Sequence, residues 1–223
     1  MTEASCGFQR ARRPEQREAR RQAILDAAAE MLAESTVTDI SLRELSKRVG
    51  LAKSNVLRYF ETREEVFLEL LDRVAREWLA DLPARLSTVE GEATALALAD
   101  ALVERPLLCE LISVTASVLE RNISVDRARR FKLATGDIGE ILAGLVRERV
   151  PGLSAPGALR FVQAVLVIVA GLWPFAHPTD AVRQAIDELG LDVPHLAFAD
   201  MLRDTLTTQL AGVLAREHAR SGN

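Results

Sequence analysis

The segment Ser41–Phe60, SLRELSKRVGLAKSNVLRYF, decides the reading of this chain. Ser41 and Glu44 stand at the spacing of a capping box, in which the hydroxyl accepts a backbone N–H and the carboxylate reaches back to another. Leu42, Leu45 and Val49 then line one face of a short helix. Gly50 ends it, where freedom to adopt positive φ is useful. A further helix is expected over Lys53–Phe60. At 100° per residue, with Val56 centring the buried face, Ala52, Tyr59 and Phe60 fall beside it. Ser54 and Arg58 point the opposite way, Asn55 and Leu57 lie on the flanks, and Lys53 sits on the shoulder.

Two short helices joined by a tight turn, the second presenting Lys, Ser, Asn and Arg, have the layout of a helix-turn-helix that enters the DNA major groove. Arg pairs bidentately with guanine and Asn with adenine. An ordinary solvated helical pair would show a similar face, so the surroundings carry the argument. A helix is expected before the pair, from about Glu15 to Ala33, with Ile24, Leu25, Ala28, Met31 and Leu32 on one face. After it, Thr62-Arg-Glu-Glu65 reads as a second capping box. Arg63 in that box places a cation beside the free N–H groups of a helix start, where a phosphate can sit.

Charge agrees once it is divided along the chain. The 223 residues carry a net −4, but residues 1–60 hold 11 Lys/Arg against 8 Asp/Glu, and residues 61–223 hold 17 against 24. The basic excess lies with the helix pair, and the domain is the proper unit for this argument. Composition points to an all-α fold: 48% hydrophobic residues, only 4% aromatic, and helical periodicity almost throughout. Cys6 and Cys109 suggest reduced thiols and no disulfide framework. The N-terminus lacks the apolar core of a secretory signal. The longest apolar run, Ala164 to Ala176, falls short of the roughly 20 residues a membrane span needs. A cytoplasmic protein with no membrane partner is expected.

Three regions follow: a flexible basic arm over 1–13, a helix-turn-helix domain over 14–62, and a helical domain over 63–223. Arg10, Arg12, Arg13 and Arg17 make the arm basic. It either follows the DNA backbone or enters a minor groove, as N-terminal arms do, or is a solvated, disordered tail. The remaining helices are expected over Arg63–Leu82, stopped by Pro83, then from Ser87 to Val103 behind a capping box ending at Glu90. Further helices follow over Pro106–Arg121, Ser124–Val150, Pro156–Phe175, Pro178–Gly190 and His195–Glu217. That makes nine to ten helices, with no linker between the helix pair and what comes next.

The stretches ILDAAAEMLAE and TDISLRELSKRVGLAKSNVLRYFETREEVFLELL resemble the N-terminal domain of the TetR family of transcriptional regulators over about residues 20–71. Ser41, Leu45-Ser46, Val49 to Val56, Tyr59-Phe60 and Thr62 to Glu64 hold the family's motif positions in variant form. The resemblance implies DNA contacts from Ser41, Lys53, Ser54, Asn55, Arg58, Tyr59 and Arg63. It also implies a homodimer on a double-stranded operator and a divergent C-terminal domain that binds a small-molecule effector. Two positions depart from the family. Leu57 stands where a phosphate-binding tyrosine is usual, and Ala52 where a serine is usual.

In the C-terminal domain the Pro156–Phe175 helix is apolar nearly all round. A helix buried on every side needs neighbours on every side, and a second subunit can supply one. Val162, Leu166 and Val169 of that helix, with Phe198, Leu202, Leu206, Leu210 and Val213 of the last, form the expected dimer interface. A larger monomer core is the competing reading. Ligand lining is expected from Trp78, Leu111, Thr115, Leu119 and Phe131, and from Thr135, Phe161, Val165, Trp173 and His177. Few charges fall among them, so a mostly apolar effector is expected. The same residues would also serve as plain core.

An enzyme is not expected. His177, His195 and His218 have no partner at metal-ligand spacing, and no HExxH, GxSxG, GxGxxG or Walker pattern occurs. No cofactor and no metal are expected. The remaining competitor is a helical interaction module whose helix pair no longer binds DNA.

Overall fold

The computed structural model describes residues 5–190 and 197–221. Ten α-helices follow one another, and no strand occurs among the described residues. They are α1 (Ser5–Leu32), α2 (Leu42–Arg48), α3 (Lys53–Val56), α4 (Arg63–Leu86), α5 (Glu92–Val103), α6 (Pro106–Val114), α7 (Val125–Arg149), α8 (Ala155–Ala176), α9 (Asp180–Glu188) and α10 (Phe198–Ser221). A π turn, Thr115–Leu119, extends α6.

α4 is the spine. It packs on α1, α5, α6, the π turn and α7. Val66, Phe67, Leu68, Leu70 and Leu71 give it a core on several sides. α8 is enclosed by α6, α7 and α10, and α10 also lies on α5. Among the described helices α8 alone is long and apolar enough to cross a membrane, yet its buried face is committed to these three neighbours.

Several boundaries differ from expectation. α1 begins at Ser5 and carries Pro14 within it, where an arm was expected. Its Arg-, Glu-, Gln- and Ala-rich sequence has high helix propensity. The side chains of Arg10, Arg12 and Arg13, like Cys6, lie outside the described ones, as does His195. α4 runs past Pro83 to Leu86, with Ser87 closing it through Oγ onto the Ala84 carbonyl at 2.7 Å. The box proposed at Ser87–Glu90 does not form. α5 starts instead after Gly91, whose φ of +60° and N–H bond to the Arg149 carbonyl at 2.8 Å tie it to the end of α7. Ser124 caps α7 as expected, accepting from the Arg127 N–H.

The expected dimer stripe is corrected by burial. Val162, Val169, Leu202, Leu206, Leu210 and Val213 are buried inside the chain's own core, where a partner cannot reach them. Phe198 is half-buried against Trp173. Leu166 alone of the set is substantially exposed, at 43%. The sequence pattern of a monomer core and of a helix–helix interface is the same, and here the monomer core takes it. The outward faces are different residues. On α8 these are Gln163, Val167, Gly171, Pro174 and Phe175, with Val167 73% exposed. On α10 they are Asp204, Thr208, Ala211, Gly212 and Ala215.

Candidate nucleic-acid interface and ligand cavity

The capping box of α2 forms in full: the Ser41 N–H donates to Glu44 Oε2 at 2.8 Å, and the Glu44 N–H to Ser41 Oγ at 3.2 Å. At the other end Gly50 takes φ +66°. Its N–H donates to the Lys47 carbonyl at 3.2 Å and that of Leu51 to the Ser46 carbonyl at 2.9 Å, the paired bonds of a Schellman ending. This turn aims α3. Ala52 offers α3 no side-chain cap. α3 itself is only four residues long, shorter than the helix expected to Phe60. Beyond it the N–H groups of Arg58 and Tyr59 bond three residues back, to Asn55 and Val56, in a tightened turn.

Val56 and Phe60 are sealed in the core, and Lys53, Ser54, Asn55 and Arg58 are exposed in one row. Ser41 is also exposed. Leu57 is 44% exposed, so it stands on the solvent side with that row. Tyr59 is half-buried, and its carbonyl accepts Arg21 Nη1 at 3.2 Å.

Arg63 is placed differently from the phosphate contact expected of it. Its Nη1 donates to the carbonyls of Val37, Thr38 and Ile40 at 3.3, 3.4 and 3.1 Å, and Nη2 pairs with Glu64 at 3.0 Å. The guanidinium is spent on holding the loop before α2. The cap behind it also deviates. Thr62 Oγ1 accepts the Glu65 N–H, but Glu65 reaches past Thr62 to the N–H of Glu61 at 2.6 Å.

Arg20, absent from the sequence reading, joins Arg17 on α1 across from Arg58 and Tyr59, in an open basic groove of about 960 Å³. The signal was the i, i+3 spacing of Arg17 and Arg20, which places both on one helix face.

Further along α4, a cavity of about 380 Å³ lies between α4, α6, the π turn, α7 and α8. Of the expected ligand residues it gathers Trp78, Thr115, Phe131, Thr135 and Val165. Leu108, Ile112, Ile138, Gly139 and Leu142 complete its apolar walls, with Val162 and Val169 from the stripe once assigned to a dimer. The remaining expected residues are elsewhere. Leu111, Leu119 and Phe161 are packed core. Trp173 and His177 stack at 3.8 Å at the far end of α8, with Phe198 edge-on to Trp173 at 5.0 Å and Glu110 accepting the indole N–H at 2.7 Å.

The cavity's polar groups are few. Thr115 and Thr135 hydroxyls bond back to the Leu111 and Phe131 carbonyls at 2.7 and 3.0 Å, as helical threonines do. Lys132 and Glu120 pair at 2.6 Å, the lysine well exposed. Trp78 Nε1 and Asp72 Oδ1 are buried without hydrogen-bond partners. Cys109 is buried against α5, its thiol pushed up to about 12 by burial, so it is an inert core group.

Family profiles cover both parts of the chain. Residues 24–70 match the profile described as "Bacterial regulatory proteins, tetR family", and residues 72–217 match "Tetracyclin repressor-like, C-terminal domain". An HTH-type transcriptional regulator of Haemophilus influenzae is 38% identical over 58 residues, 26% of this chain and 28% of that protein. The HTH-type transcriptional regulator RutR of Escherichia coli K12 is 30% identical over 66 residues, 30% of this chain and 31% of RutR. These matches span less than a third of either relative. Solved structures share the fold over most of their length. A TetR regulator from Rhodococcus sp. RHA1 superimposes with a TM-score of 0.61 at 15% identity, covering 89% of this chain and 97% of that one. FadR from Bacillus subtilis, in complex with stearoyl-CoA, does so with 0.53 at 14% identity, covering 84% and 98%.

Proposed function

The chain belongs to the TetR family of helix-turn-helix transcriptional regulators, and from that premise we propose a repressor released from its operator by a small, mostly apolar ligand. One observation carries this reading: α4 runs unbroken from the back of the DNA-binding helices to the cavity wall at Trp78. At 1.5 Å per residue its 24 residues span about 36 Å.

The exposed row Lys53, Ser54, Asn55 and Arg58 enters a major groove, with phosphate contacts setting position and base contacts setting sequence. Ser41 and Tyr59 flank that row. Two subunits read a palindromic site, joined through the outward faces of α8 and α10. The small side chains there, Gly171, Ala211, Gly212 and Ala215, let helices approach closely. Exposed Val167 and Leu166 supply apolar area. Occupation of the cavity shifts α4, and its tilt changes the spacing of the two recognition helices. Release requires that the ligand bind the non-DNA arrangement better than the DNA-bound one. The stearoyl-CoA held by FadR on the same fold makes acyl chains the first class of ligand to try. Work in the cytoplasm follows from this role.

Selecting genomic fragments with the purified protein tests the reading. The enriched sequences should be palindromic, bind a dimer, and lose affinity steeply as salt rises. Long-chain fatty acids and their CoA esters, added to that complex, should release it. Binding that ignores salt, or no binding at low salt, would leave the interaction-module alternative standing.

A further inference from the structure

A charged cluster between α1, α4 and α7 serves neither the exposed row nor the cavity directly. Glu65 and Glu69 lie one turn apart at the start of α4, and Arg127 from the first turn of α7 reaches both. Its Nη2 stands 3.3 Å from Glu69 Oε2 and its Nε 3.5 Å from Glu65 Oε1. All three side chains are largely withdrawn from solvent. Charges so placed are costly unless each is paired.

Each carboxylate has a second partner, and both lead to the same place. Glu65 Oε2 accepts the Glu61 N–H. Glu69 is gripped by both arms of the Arg21 guanidinium from α1. Arg21 in turn donates to the Tyr59 carbonyl and lies 4.7 Å over the Phe60 ring. Two branches therefore leave Arg127 and end within residues 59–61, immediately behind the exposed row of α3. In the other direction along α7, Phe131 and Thr135 follow Arg127 by one and two turns and line the cavity.

We propose that Arg127 is the positioning residue that couples the cavity wall to the turn behind the recognition helix. The cluster is not fully closed: Arg127 Nε is buried without a hydrogen bond, at 3.5 Å from Glu65. A buried unpaired donor is costly, so a slide of α7 that closes or widens this gap changes the balance between two arrangements of the cluster. Each arrangement sets the Glu61 and Tyr59 bonds differently. Cavity occupancy acts on α7, and the turn reads it.

Amide hydrogen exchange at Glu61 in the DNA-free protein, together with affinity for the selected operator, tests this in Arg127→Ala, Arg127→Lys and Arg130→Ala. Arg130 is exposed and pairs with Asp126, which makes it the control. Arg127→Ala should speed Glu61 exchange and change operator affinity by about tenfold, the ordinary size of a coupling between sites. Protection in α10 should not move. Arg127→Lys keeps the charge without the fork and should fall between, while Arg130→Ala should change neither readout. Glu61 exchange equal to wild type in Arg127→Ala overturns the proposal. So does protection lost evenly through every helix in both Arg127 variants, which would make Arg127 an ordinary structural residue. The DNA-binding reading rests on operator affinity alone. A wild-type protein that binds no duplex would refute that reading and leave the exchange result to decide this one.

Discussion

The two ends of α4 are built on opposite plans. At the DNA-binding end, α2 and α3 are shaped by neighbours in sequence: one full capping box, a Schellman ending at Gly50, and a four-residue helix held by its own tight turn. Behind it the core is filled by Val56 and Phe60. At Trp78 the cavity end is assembled from residues as far apart as Leu71 and Ala170, and it keeps an unfilled space. The helix-turn-helix is locally specified and tightly packed. The cavity is specified by distant helices and left incomplete.

Substitutions at both ends should show this difference, and the largest effect belongs to the packed end. Phe60→Ala should cost about 3–5 kcal/mol of stability, measured by chemical denaturation, and take DNA binding with it. A loss under about 1 kcal/mol would mean that this end is as loosely packed as the other. Next in size, Arg58→Ala should weaken specific binding by about 1–3 kcal/mol and relax the base preference. Lys53→Ala should weaken all sequences alike and lower the salt slope by about one. Equal, sequence-independent effects of the two would remove the division between base reading and phosphate binding.

Leu57→Tyr comes third. Exposed beside Arg58, a tyrosine there can donate to a phosphate and should strengthen operator binding by about 0.5–1.5 kcal/mol in a titration at fixed salt. At the cavity end, a Cβ on Gly139 would meet nothing within 4 Å. Gly139→Ala should therefore raise the stability of α7 by about 0.5–1 kcal/mol, the gain of replacing a helical glycine. A destabilised variant would show the cavity wall to be closed.

The smallest effect lies where α10 meets α8, away from both ends. Glu217 accepts from the Ser154 hydroxyl and, at 2.8 Å, from the Ser154 N–H, with Arg160 at 3.1 Å. The Ser154 hydroxyl first, then its N–H, holds the Glu217 carboxyl below the usual range. A depressed folded pKa adds stability that is present above the ordinary carboxylate value, about 4.3, and is lost as pH falls through the lowered one. Glu217→Gln should lower Tm slightly at pH 7, and the difference from wild type should shrink below about pH 4. A constant difference across that range would remove the ionised carboxylate from the explanation.

What was legible in the sequence divides along the same line. The Ser41 box, the Gly50 turn and the exposed row could be read because each depends on residues a few positions apart. Arg63 was misplaced because its partners, the Val37, Thr38 and Ile40 carbonyls, are offered by a loop whose path no local signal sets. Half of the residues expected to line a ligand site border the cavity, since apolar spacing on α4, α7 and α8 identifies inward faces. It does not say whether an inward face borders a void, as at Val165, or solid packing, as at Phe161. The interface stripe failed for the same reason: Leu202, Leu206 and Leu210 mark a buried side without naming what buries it. Pro83 reads as a stop, but burial of Leu82 and Leu86 on either side of it carries α4 through.

The π turn between α6 and α7 bears on how this protein can change over generations. Its Glu120 N–H reaches back five residues to the Thr115 carbonyl, at 3.0 Å, so the segment holds one residue more than an α-helix would use. Losing one codon there would let the segment close as a regular α-helical turn and redraw the backbone around Thr115. Thr115 and Ala116 would then present different neighbours to the cavity, while the Ser41–Phe60 segment would be untouched. A single deletion there would thus reshape the cavity and leave the helix-turn-helix as it is.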